Sequence, residues 1–494
     1  MDELTQVSTA TLGDMPQAVN RPGYDRAALT PGIVHIGVGN FHRAHQAMYL
    51  DRLFGLGEDH DWALVGAGVR AADVAVRDDL AAQDWLTTVV ELNPGGLTAH
   101  VCGSMIDYVE PGATALVAAL TVPEIRIVSL TVTEGGYFID PATGGLARDH
   151  PAIVADIARP DAPETAFGII VAALAARRAA GVPAFTVMSC DNLPHNGVVA
   201  RNAVVGLATA ISADLGAWIL REAGFPNGMV DCITPATGPR ERALVAERFG
   251  IRDARPVVCE PFRQWVLEDD FRAGRPALEK VGVEFVADVA PHELMKLRIL
   301  NGGHATIAYP AALLGIGMVH DAMAEPLVAG FLTALERREI IPMVPPIPGV
   351  DFAAYFATVV ERFSNPAIGD TIARLCQDGS NRQPKFILPV IAARLAQGLP
   401  VDGLALEVAL WCRYCAGTDE AGRDIPLDDP MAAALREQAL RAKDDPGAFL
   451  SLGAVFGTLG DDAGFRRAFA EALDGLWRDG VARTLSDYAR DTVA

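Results

Sequence analysis

Lysine is scarce in this chain of 494 residues, and its scarcity excludes several enzyme classes. The four lysines are Lys280, Lys296, Lys385 and Lys443. None of them lies four positions after a tyrosine, which excludes a dehydrogenase dyad of the Tyr-x-x-x-Lys type. None follows a glycine, which excludes a Walker A phosphate loop. None lies in a strand of the protein-kinase type, so a protein kinase is excluded as well.

Long apolar runs and a disulfide framework are also missing. The longest apolar candidate, residues 167–176, ends at Arg177 and is shorter than the roughly 18 residues that a membrane-spanning helix needs. The acidic start of the chain lacks the basic-then-apolar order of a signal peptide. Seven scattered cysteines predict a reducing, cytoplasmic compartment.

Positive charge is in deficit, because 62 acidic residues outnumber 41 lysines and arginines and give a formal net charge of −21. A field of that sign repels phosphate backbones and anionic lipids. We therefore expect a small-molecule substrate, no nucleic-acid or membrane partner, and a monomer or small homo-oligomer. Half of the residues are hydrophobic, which is typical of a globular protein with an ample core.

The first part of the chain alternates short apolar runs with helical periodicity. The runs that predict strands are residues 33–36, 63–67, 125–132 and 185–189. Residues 1 to about 31 predict an N-terminal arm, and residues 41–56 predict a helix. Short buried strands separated by helices indicate a Rossmann-like, mostly parallel sheet with helices on both faces. Such sheets bind ligands at the carboxyl ends of their strands.

Helical segments dominate after about residue 291. Examples are residues 322–338, 404–414, 431–443 and 464–477. The sequence therefore predicts an α/β fold with two domains. A dinucleotide-binding Rossmann-like domain is expected over residues 1–291, and a mainly α-helical substrate and catalytic domain over residues 292–494.

A Gly-Val-Gly turn follows the first predicted strand and precedes a helix, as in dinucleotide-binding sites. Gly37 would permit the tight turn, and Gly39 would let the backbone approach a pyrophosphate near the helix N-terminus. His42 stands in the third glycine position of the Gly-x-Gly-x-x-Gly fingerprint. Tight turns often contain glycine only because it adopts backbone conformations that other residues avoid. A turn with a purely structural role therefore stays an alternative.

An acidic residue follows the second predicted strand. Asp73 can accept hydrogen bonds from the ribose hydroxyls of NAD and would repel the 2′-phosphate of NADP. Arg70 would have the opposite effect. The alternative is that Asp73 only caps the helix that begins there. We expect NAD as the cofactor, with a preference over NADP that Arg70 weakens.

The residues richest in chemistry lie in a helix predicted over residues 291–310. At 100° per residue, Glu293, Lys296, Asn301 and His304 share an arc of about 140°. Burial near a helix N-terminus would lower the pKa of Lys296 and allow it to act as a general base. Taken alone, Lys296 is an ordinary solvated lysine and His304 an ordinary histidine; their combination indicates a site.

Two asparagines complete this candidate site. The side-chain amides of Asn301 and of Asn192, which follows the fourth predicted strand, can donate hydrogen bonds to an alkoxide as it forms. The Gly302-Gly303 pair costs helix stability but permits close approach by the other domain or by a ligand. Pro310 is expected to end the helix.

Seven segments from both predicted domains carry a family resemblance. They are residues 37–51, 129–137, 185–197, 229–235, 259–269, 295–304 and 378–386. The strings Ser-Cys-Asp-Asn-Leu-Pro and Lys-x-x-x-x-Asn-x-x-His within them are specific. The sequence resembles the polyol-specific long-chain dehydrogenases of the mannitol dehydrogenase family, closest to the bacterial enzymes that oxidise carbon 2 of mannitol.

This resemblance implies roles for individual residues and an enzyme that uses no metal. It implies that Lys296 is the general base, that Asn192 and Asn301 form an oxyanion hole, and that Glu293 links the lysine to solvent. It implies that Asp73 selects NAD.

The resemblance also implies that His304 and Arg374 bind substrate hydroxyls. Arg382 stands where close relatives carry a substrate-contacting lysine, so it joins the candidate substrate-binding residues. Phe41, next to the glycine turn, joins Gly37 and Gly39 as a candidate cofactor contact.

The implied reaction is D-mannitol and NAD to D-fructose and NADH, with D-arabinitol and D-sorbitol also accepted. A fructuronate or tagaturonate reductase is an alternative, because Arg374 and Arg382 offer cations for a carboxylate. A non-catalytic NAD- or polyol-binding sensor is another, although a sensor needs no such lysine. A zinc enzyme is not indicated: Cys412 and Cys415 stand alone in an apolar segment, where we expect them to pack in the core.

Overall fold

The computed structural model describes residues 4–140 and 143–490. The contacts of the chain divide it into two compact units, Met1–Ala290 and Pro291–Ala494. The first three residues of the predicted N-terminal arm lie outside the described residues. No helix in the described part of the chain is long and apolar enough to cross a membrane.

The N-terminal unit contains the strands and nine of the described α-helices. Its strands are β1 (Thr5–Gln6), β2 (Val19–Asn20), β3 (Pro31–Ile36), β4 (Ala63–Ala67), β5 (Thr87–Asn93), β6 (Gly96–Cys102), β7 (Met105–Tyr108), β8 (Ile127–Leu130), β9 (Thr186–Ser189), β10 (Gly228–Asp231), β11 (Ile251–Arg252), β12 (Val257–Cys259), β13 (Gln264–Glu268) and β14 (Glu284–Val286). Its helices are α1 (Asn40–Ala44), α2 (Gln46–Gly55), α3 (Asp73–Ala81), α4 (Ala113–Thr121), α5 (Pro151–Ala158), α6 (Ala166–Ala180), α7 (Asn196–Ile211), α8 (Ala213–Glu222) and α9 (Pro239–Phe249).

The central sheet has the order β7-β4-β3-β8-β9, and all its pairs are parallel. Successive residues of each strand face opposite sides. Val34 and Val128 pack into one hydrophobic cluster with α4, α6 and α7, whereas Ile33 and Ile127 pack into another with α2. The predicted Rossmann-like sheet with helices on both faces is confirmed, and its four predicted strands are β3, β4, β8 and β9.

Several pairings within this unit were not predicted. β5 and β6 form an antiparallel hairpin in a second sheet of order β12-β5-β6-β2, and β10, β13 and β14 form a third. The prediction of a polar arm before residue 31 was incomplete, because β1 pairs with β11 and β2 pairs with β6. These two-residue strands depend on distant partners and leave no alternating pattern in the sequence.

The helix predicted over residues 41–56 is interrupted. His45 has φ −115° and ψ −89°, outside the helical region, and it separates α1 from α2. The hydrophobic periodicity continues across the break, which explains why the sequence predicted one helix.

The C-terminal unit is helical. Its α-helices are α10 (Ala290–Met295), α11 (Gly302–Leu313), α12 (Val319–Ala324), α13 (Pro326–Leu335), α14 (Phe352–Phe363), α15 (Ile372–Cys376), α16 (Gly379–Phe386), α17 (Leu388–Ala396), α18 (Asp402–Cys415), α19 (Ala432–Arg441), α20 (Gly447–Leu450), α21 (Gly453–Phe456), α22 (Ala463–Asp479) and α23 (Val481–Arg490). Two π-helices cover Lys296–Asn301 and Glu336–Ile340. The predicted helical character after residue 291 is confirmed.

The core of this unit surrounds α18, which is buried from Gly403 to Cys415. Cys412 and Cys415 lie in that core, as expected for packing residues. None of the seven cysteines, all of which lie in the described ranges, forms a disulfide.

The helix predicted to end at Pro310 continues to Leu313, so that prediction was wrong. The Leu314 amide donates to the Pro310 carbonyl at 3.0 Å and carries the helix past the proline. Proline removes one helical hydrogen bond, and the burial of Tyr309 and Ala311 around it outweighs that loss.

Candidate active site

The glycine turn follows β3 at the carboxyl edge of the central sheet. Gly37 has φ +99°, and a Cβ there would lie 2.2 Å from the Thr131 carbonyl oxygen, so only glycine fits. Gly39 has no such constraint, because the nearest atom to an added Cβ is 3.8 Å away. Phe41 follows in α1, with its ring stacked on that of His45 at 4.8 Å. The turn therefore exposes backbone at Gly39 next to the start of a helix.

His42, in the third glycine position, is accommodated by a second histidine. Its ring stacks on that of His35, with centroids 3.5 Å apart and planes 13° apart, and both side chains are buried. A third glycine normally allows a helix to pack closely on its strand. Here two flat imidazole rings fill the space between α1 and β3.

Hydrogen bonds connect this histidine pair to the turn. His35 Nδ1 lies 2.8 Å from the Ser129 hydroxyl, and His35 Nε2 lies 2.9 Å from the Thr131 hydroxyl. Thr131 donates to the Gly37 carbonyl at 2.5 Å. Burial lowers the pKa of His35 to about 3 and that of His42 well below its ordinary value, so both rings are neutral. This network was not predicted from the sequence, where its signal is a histidine within an apolar strand.

Asp73 is the first residue of α3 and lies beyond the end of β4. Its Oδ2 accepts hydrogen bonds from the Val69 and Arg70 amides at 3.0 and 2.9 Å. The Arg70 guanidinium is 3.3 Å from Asp73 Oδ1, and the Arg70 side chain is 78% exposed. The alternative that Asp73 caps the helix was wrong, because Ala72 is the N-cap and the carboxylate binds the preceding loop. Asp73 and Arg70 thus follow the strand adjacent to the one that carries the glycine turn.

Asn192 lies in the exposed turn after β9, at the same edge of the sheet. Its neighbour Asp191 accepts hydrogen bonds from the Val132 and Thr133 amides at 3.0 and 3.1 Å and from the Tyr137 hydroxyl at 2.7 Å. Thr133 has φ +66°, a strained conformation that the bond to Asp191 holds in place. Asp191 therefore joins the loops after β8 and β9, a role that the sequence analysis missed.

In the C-terminal unit, Lys296 and Asn301 are the first and last residues of one π-helix. At 100° per residue Asn301 would lie 140° from Lys296, but a π-helix pairs residues i and i+5. Lys296 and Asn301 are separated by that interval, so the angle between them is smaller than the regular α-helix predicted. Lys296 is only 7% exposed, and Glu293 precedes it in α10, half-buried.

His304 follows in α11, where its ring stacks on Phe363 at 4.2 Å. A Cβ added to Gly303 would lie 3.4 Å from the Phe363 ring and 3.6 Å from a carboxylate oxygen of Glu336. These distances are ordinary van der Waals contacts, as are the 3.9 Å contacts of a Cβ at Gly302, so packing within this unit does not require the glycine pair.

The structure brings the two candidate substrate arginines together. Arg382 donates to the Leu375 carbonyl at 2.9 Å, next to Arg374 in the chain. Arg374 donates to both carboxylate oxygens of Asp370, from Nε at 2.6 Å. α15, which carries Arg374, contacts α11, and α16, which carries Arg382, contacts the π-helix of Lys296. The helices of Arg374 and Arg382 thus pack on α11 and on the π-helix that precedes it, respectively.

Two buried carboxyl groups lie nearby in this unit. Glu407 accepts a hydrogen bond from Gln383 at 2.7 Å, and burial raises its pKa to about 8. Glu336 is fully buried, neither carboxylate oxygen has a hydrogen-bond partner in the described residues, and burial raises its pKa well above the ordinary value. Burial thus favours the protonated form of both carboxyl groups. No group of three or more histidine, cysteine or acidic residues in the described ranges is arranged to hold a metal.

Two family models match nearly the whole chain. The mannitol dehydrogenase Rossmann domain matches residues 31–280, and the mannitol dehydrogenase C-terminal domain matches residues 288–477. The chain is 58% identical to a mannitol 2-dehydrogenase of Cereibacter sphaeroides over 476 residues, which covers 96% of this chain and 99% of that protein. It is 42% identical to a mannitol 2-dehydrogenase of Aspergillus fumigatus, with 95% of each covered.

Two solved structures are similar over the full length. One is the Pseudomonas fluorescens mannitol 2-dehydrogenase in ternary complex with NAD and D-mannitol, 44% identical, with a TM-score of 0.83. It matches 98% of this chain and 100% of its own. The other is a substrate-free D-sorbitol dehydrogenase, 36% identical, with a TM-score of 0.92 and 97% and 100% coverage.

Proposed function

The chain belongs to the mannitol dehydrogenase family, and from this premise we propose that it interconverts D-mannitol and D-fructose with NAD and NADH. The observation that carries the proposal is the likeness, over 98% of the chain, to an enzyme whose structure holds NAD and D-mannitol. D-arabinitol and D-sorbitol are expected as further substrates, the latter supported by the likeness to a D-sorbitol dehydrogenase.

The N-terminal unit fits a dinucleotide. Gly37 takes a conformation that only glycine adopts, and Gly39 leaves the backbone uncovered for a pyrophosphate. Asp73 presents a carboxylate fixed by two backbone amides, which suits the two hydroxyls of an adenosine ribose. We propose these residues, with Phe41 and Arg70, as the cofactor-binding set. NAD supplies a nicotinamide ring that accepts a hydride.

In the proposed mechanism Lys296 takes the proton from the hydroxyl on carbon 2 of the polyol. Lys296 is only 7% exposed, and burial disfavours the charged form of an amine, which favours the unprotonated form that a general base needs. Asn301, on the same face of the π-helix, and Asn192 donate amide hydrogen bonds to the developing alkoxide. Glu293, three residues before the lysine, then carries the proton toward solvent.

Substrate hydroxyls beyond carbon 2 are assigned to His304, Arg374 and Arg382. The stack on Phe363 fixes the plane of the His304 ring, and the paired bonds to Asp370 fix the Arg374 guanidinium. Fixed donors lose little entropy when a polyol binds.

The same ion pair disfavours the uronate reductase alternative. Asp370 already neutralises the charge of Arg374. A substrate carboxylate could therefore pair with at most one further guanidinium there, that of Arg382. We propose a cytoplasmic location from the cysteine usage, and a monomer or small homo-oligomer.

The test is the formation of NADH when purified protein is mixed with NAD and each polyol in turn. We expect the highest kcat/KM with D-mannitol, and D-fructose reduction in the reverse direction. Lys280→Ala, which removes an exposed lysine paired with Glu58, is the matched control for Lys296→Ala and should keep full activity. Turnover of fructuronate or tagaturonate with a higher kcat/KM than D-fructose would replace the proposal with the reductase.

A further inference from the structure

Three polar groups converge on one carbonyl oxygen of the glycine turn, that of Gly37. The Thr131 hydroxyl donates to this oxygen at 2.5 Å, and the Gly39 amide donates to it at 2.7 Å. The third group is the His35 ring, whose Nε2 lies 3.2 Å from the same oxygen. Glycine adopts many backbone conformations, so the direction of its carbonyl depends on the groups that surround it. These contacts fix the Gly37 carbonyl toward the buried His35 side chain.

The His35 ring takes part in this arrangement when its proton lies on Nε2. A carbonyl oxygen only accepts hydrogen bonds, and a threonine hydroxyl that donates to one partner still accepts from another. With the proton on Nε2, the ring donates toward the Gly37 carbonyl and toward the Thr131 hydroxyl, which is 2.9 Å away. Nδ1 then accepts from the Ser129 hydroxyl at 2.8 Å. Burial lowers the pKa of His35 to about 3 and so favours a ring with a single proton.

The His35 ring is itself held in place on two further sides. One face stacks on the His42 ring, with the centroids 3.5 Å apart, and the Nδ1 edge meets the fully buried Ser129. A side chain that packing and a hydrogen bond hold in one orientation presents its remaining donor in one direction. His35 can therefore set the position of the glycine turn instead of adapting to it.

The direction of the Gly37 carbonyl also sets the direction of the next amide. The C=O and N–H groups of a trans peptide point to opposite sides, and the described residues contain no cis peptide bond. The Val38 N–H therefore points away from His35. In the part of the chain that the structure describes, this amide donates to no backbone carbonyl. A backbone N–H attracts a phosphate, whereas a carbonyl oxygen in its place would repel one.

We propose that His35 is a positioning residue for the dinucleotide, and that with Thr131 it fixes the peptide between Gly37 and Val38 so that the N–H, and not the C=O, faces the pyrophosphate. The inference rests on the cofactor part of the proposed function and not on the identity of the polyol.

Two substitutions of His35 separate this role from simple packing. His35→Gln places an amide nitrogen near the position of Nε2, whereas the shorter side chain of His35→Asn places its nitrogen near that of Nδ1. Both variants lose the ring that stacks on His42. In fluorescence titrations with NADH, we expect the glutamine variant to bind nearly as tightly as the unmodified protein. The asparagine variant should have a Kd weaker by about three- to tenfold, the scale of one hydrogen bond. Equal weakening in both variants would overturn the proposal, because lost packing would then explain it.

Thr131→Val tests the second donor, because valine keeps the shape of threonine and removes only the hydroxyl. We expect an NADH Kd weaker by about three- to tenfold, again the scale of one hydrogen bond. Thr88→Val is the matched control, since Thr88 is fully buried in the same unit and its hydroxyl has no partner in the described residues. The control should leave the Kd unchanged. An unchanged Kd for Thr131→Val would contradict the proposal, even if the His35 variants failed to fold.

Steady-state kinetics give a readout that general damage to the fold would not reproduce. In His35→Asn the KM for NAD should rise, while kcat at saturating NAD stays near that of the unmodified protein, because the proposed base lies in the other unit. A lower kcat with an unchanged KM would contradict the positioning role. If the unmodified protein binds no NADH at all, the cofactor part of the proposed function fails. If it binds NADH and His35→Asn binds equally tightly, only the positioning role fails.

Discussion

The two units contain buried ionisable groups whose pKa values are shifted in opposite directions. In the N-terminal unit, His35 and His42 stack behind the glycine turn, and burial lowers the pKa of both rings. In the C-terminal unit, Glu336 is buried beside Gly303 of α11 and Glu407 beside Gln383 of α16, and burial raises the pKa of both carboxyl groups. The neutral form is favoured in all four groups, but the first pair gains charge as the pH falls and the second pair gains charge as the pH rises.

These opposite shifts predict that the stability of the two units depends on pH in opposite directions. A histidine whose pKa is lower in the folded chain than its ordinary 6.5 destabilises the fold as the pH falls below 6.5. A glutamate whose pKa is higher than its ordinary 4.5 destabilises the fold as the pH rises, until the pH passes the folded value. The N-terminal unit is therefore acid-sensitive at its histidine pair, and the C-terminal unit is alkali-sensitive at its carboxyl groups.

The comparison extends to function, because the proposed cofactor residues belong to the first unit and the proposed base to the second. Replacing Lys296 with alanine should lower kcat by about 10²–10⁴-fold, the usual loss on removal of a positioned base. The NADH Kd should stay near that of the unmodified protein. Stopped-flow turnover and NADH titration measure the two quantities, and near-native turnover would remove Lys296 from its assigned role.

A substitution in the N-terminal unit should have the complementary effect. Asp73→Ala should weaken NAD binding by about 1–3 kcal/mol, the scale of a lost hydrogen bond to a charged group, and should improve NADP binding. Asp73→Asn is the matched variant, because it keeps an acceptor for the Val69 and Arg70 amides while removing the charge. Ratios of kcat/KM for NAD and NADP are the readout. An unchanged ratio in both variants would mean that Asp73 only binds its own loop.

The local stability of the C-terminal unit around Glu407 should fall as the pH rises. Each buried carboxyl that is neutral only when folded costs about 1.4 kcal/mol per pH unit between its unfolded and folded pKa values. For Glu407 that window runs from 4.5 to about 8. Peptide-resolved hydrogen exchange, corrected for the intrinsic rate, should show α16 and α18 losing protection as the pH rises toward 8. Glu407→Gln, which keeps an acceptor for Gln383, should flatten the loss; an equally steep loss would contradict it.

The smallest effect should come from chelation. The described residues hold no cluster arranged for a metal in either unit, and the proposed base is an amine. Exhaustive treatment with EDTA should leave kcat unchanged. Activity that is lost to EDTA and restored by zinc would require a different mechanism in the C-terminal unit.

The elements that could be predicted from the sequence are those whose conformation follows from the pattern of neighbouring residues. β3, β4, β8 and β9 are short apolar runs buried on both faces, and α18 carries helical periodicity along its length. The conformation of Gly37 also follows from its place between a strand and a helix. Local pattern was sufficient for the fold class and for the position of the glycine turn.

Elements that depend on distant partners escaped prediction. The His35–His42 stack requires Ser129 and Thr131 from another strand. The π-helix differs from an α-helix by one hydrogen-bond step, which residue type does not encode, so the angular relation of Lys296 to Asn301 could not be predicted.

The most direct test measures NADH Kd and kcat with D-mannitol for three proteins: unmodified, Lys296→Ala and Asp73→Asn. We expect the lysine variant to lose kcat and keep its Kd, and the aspartate variant to bind NADH more weakly and keep most of its kcat. A lysine variant that loses NADH binding as strongly as the aspartate variant, with unchanged kcat, would contradict the division of cofactor binding and chemistry between the two units.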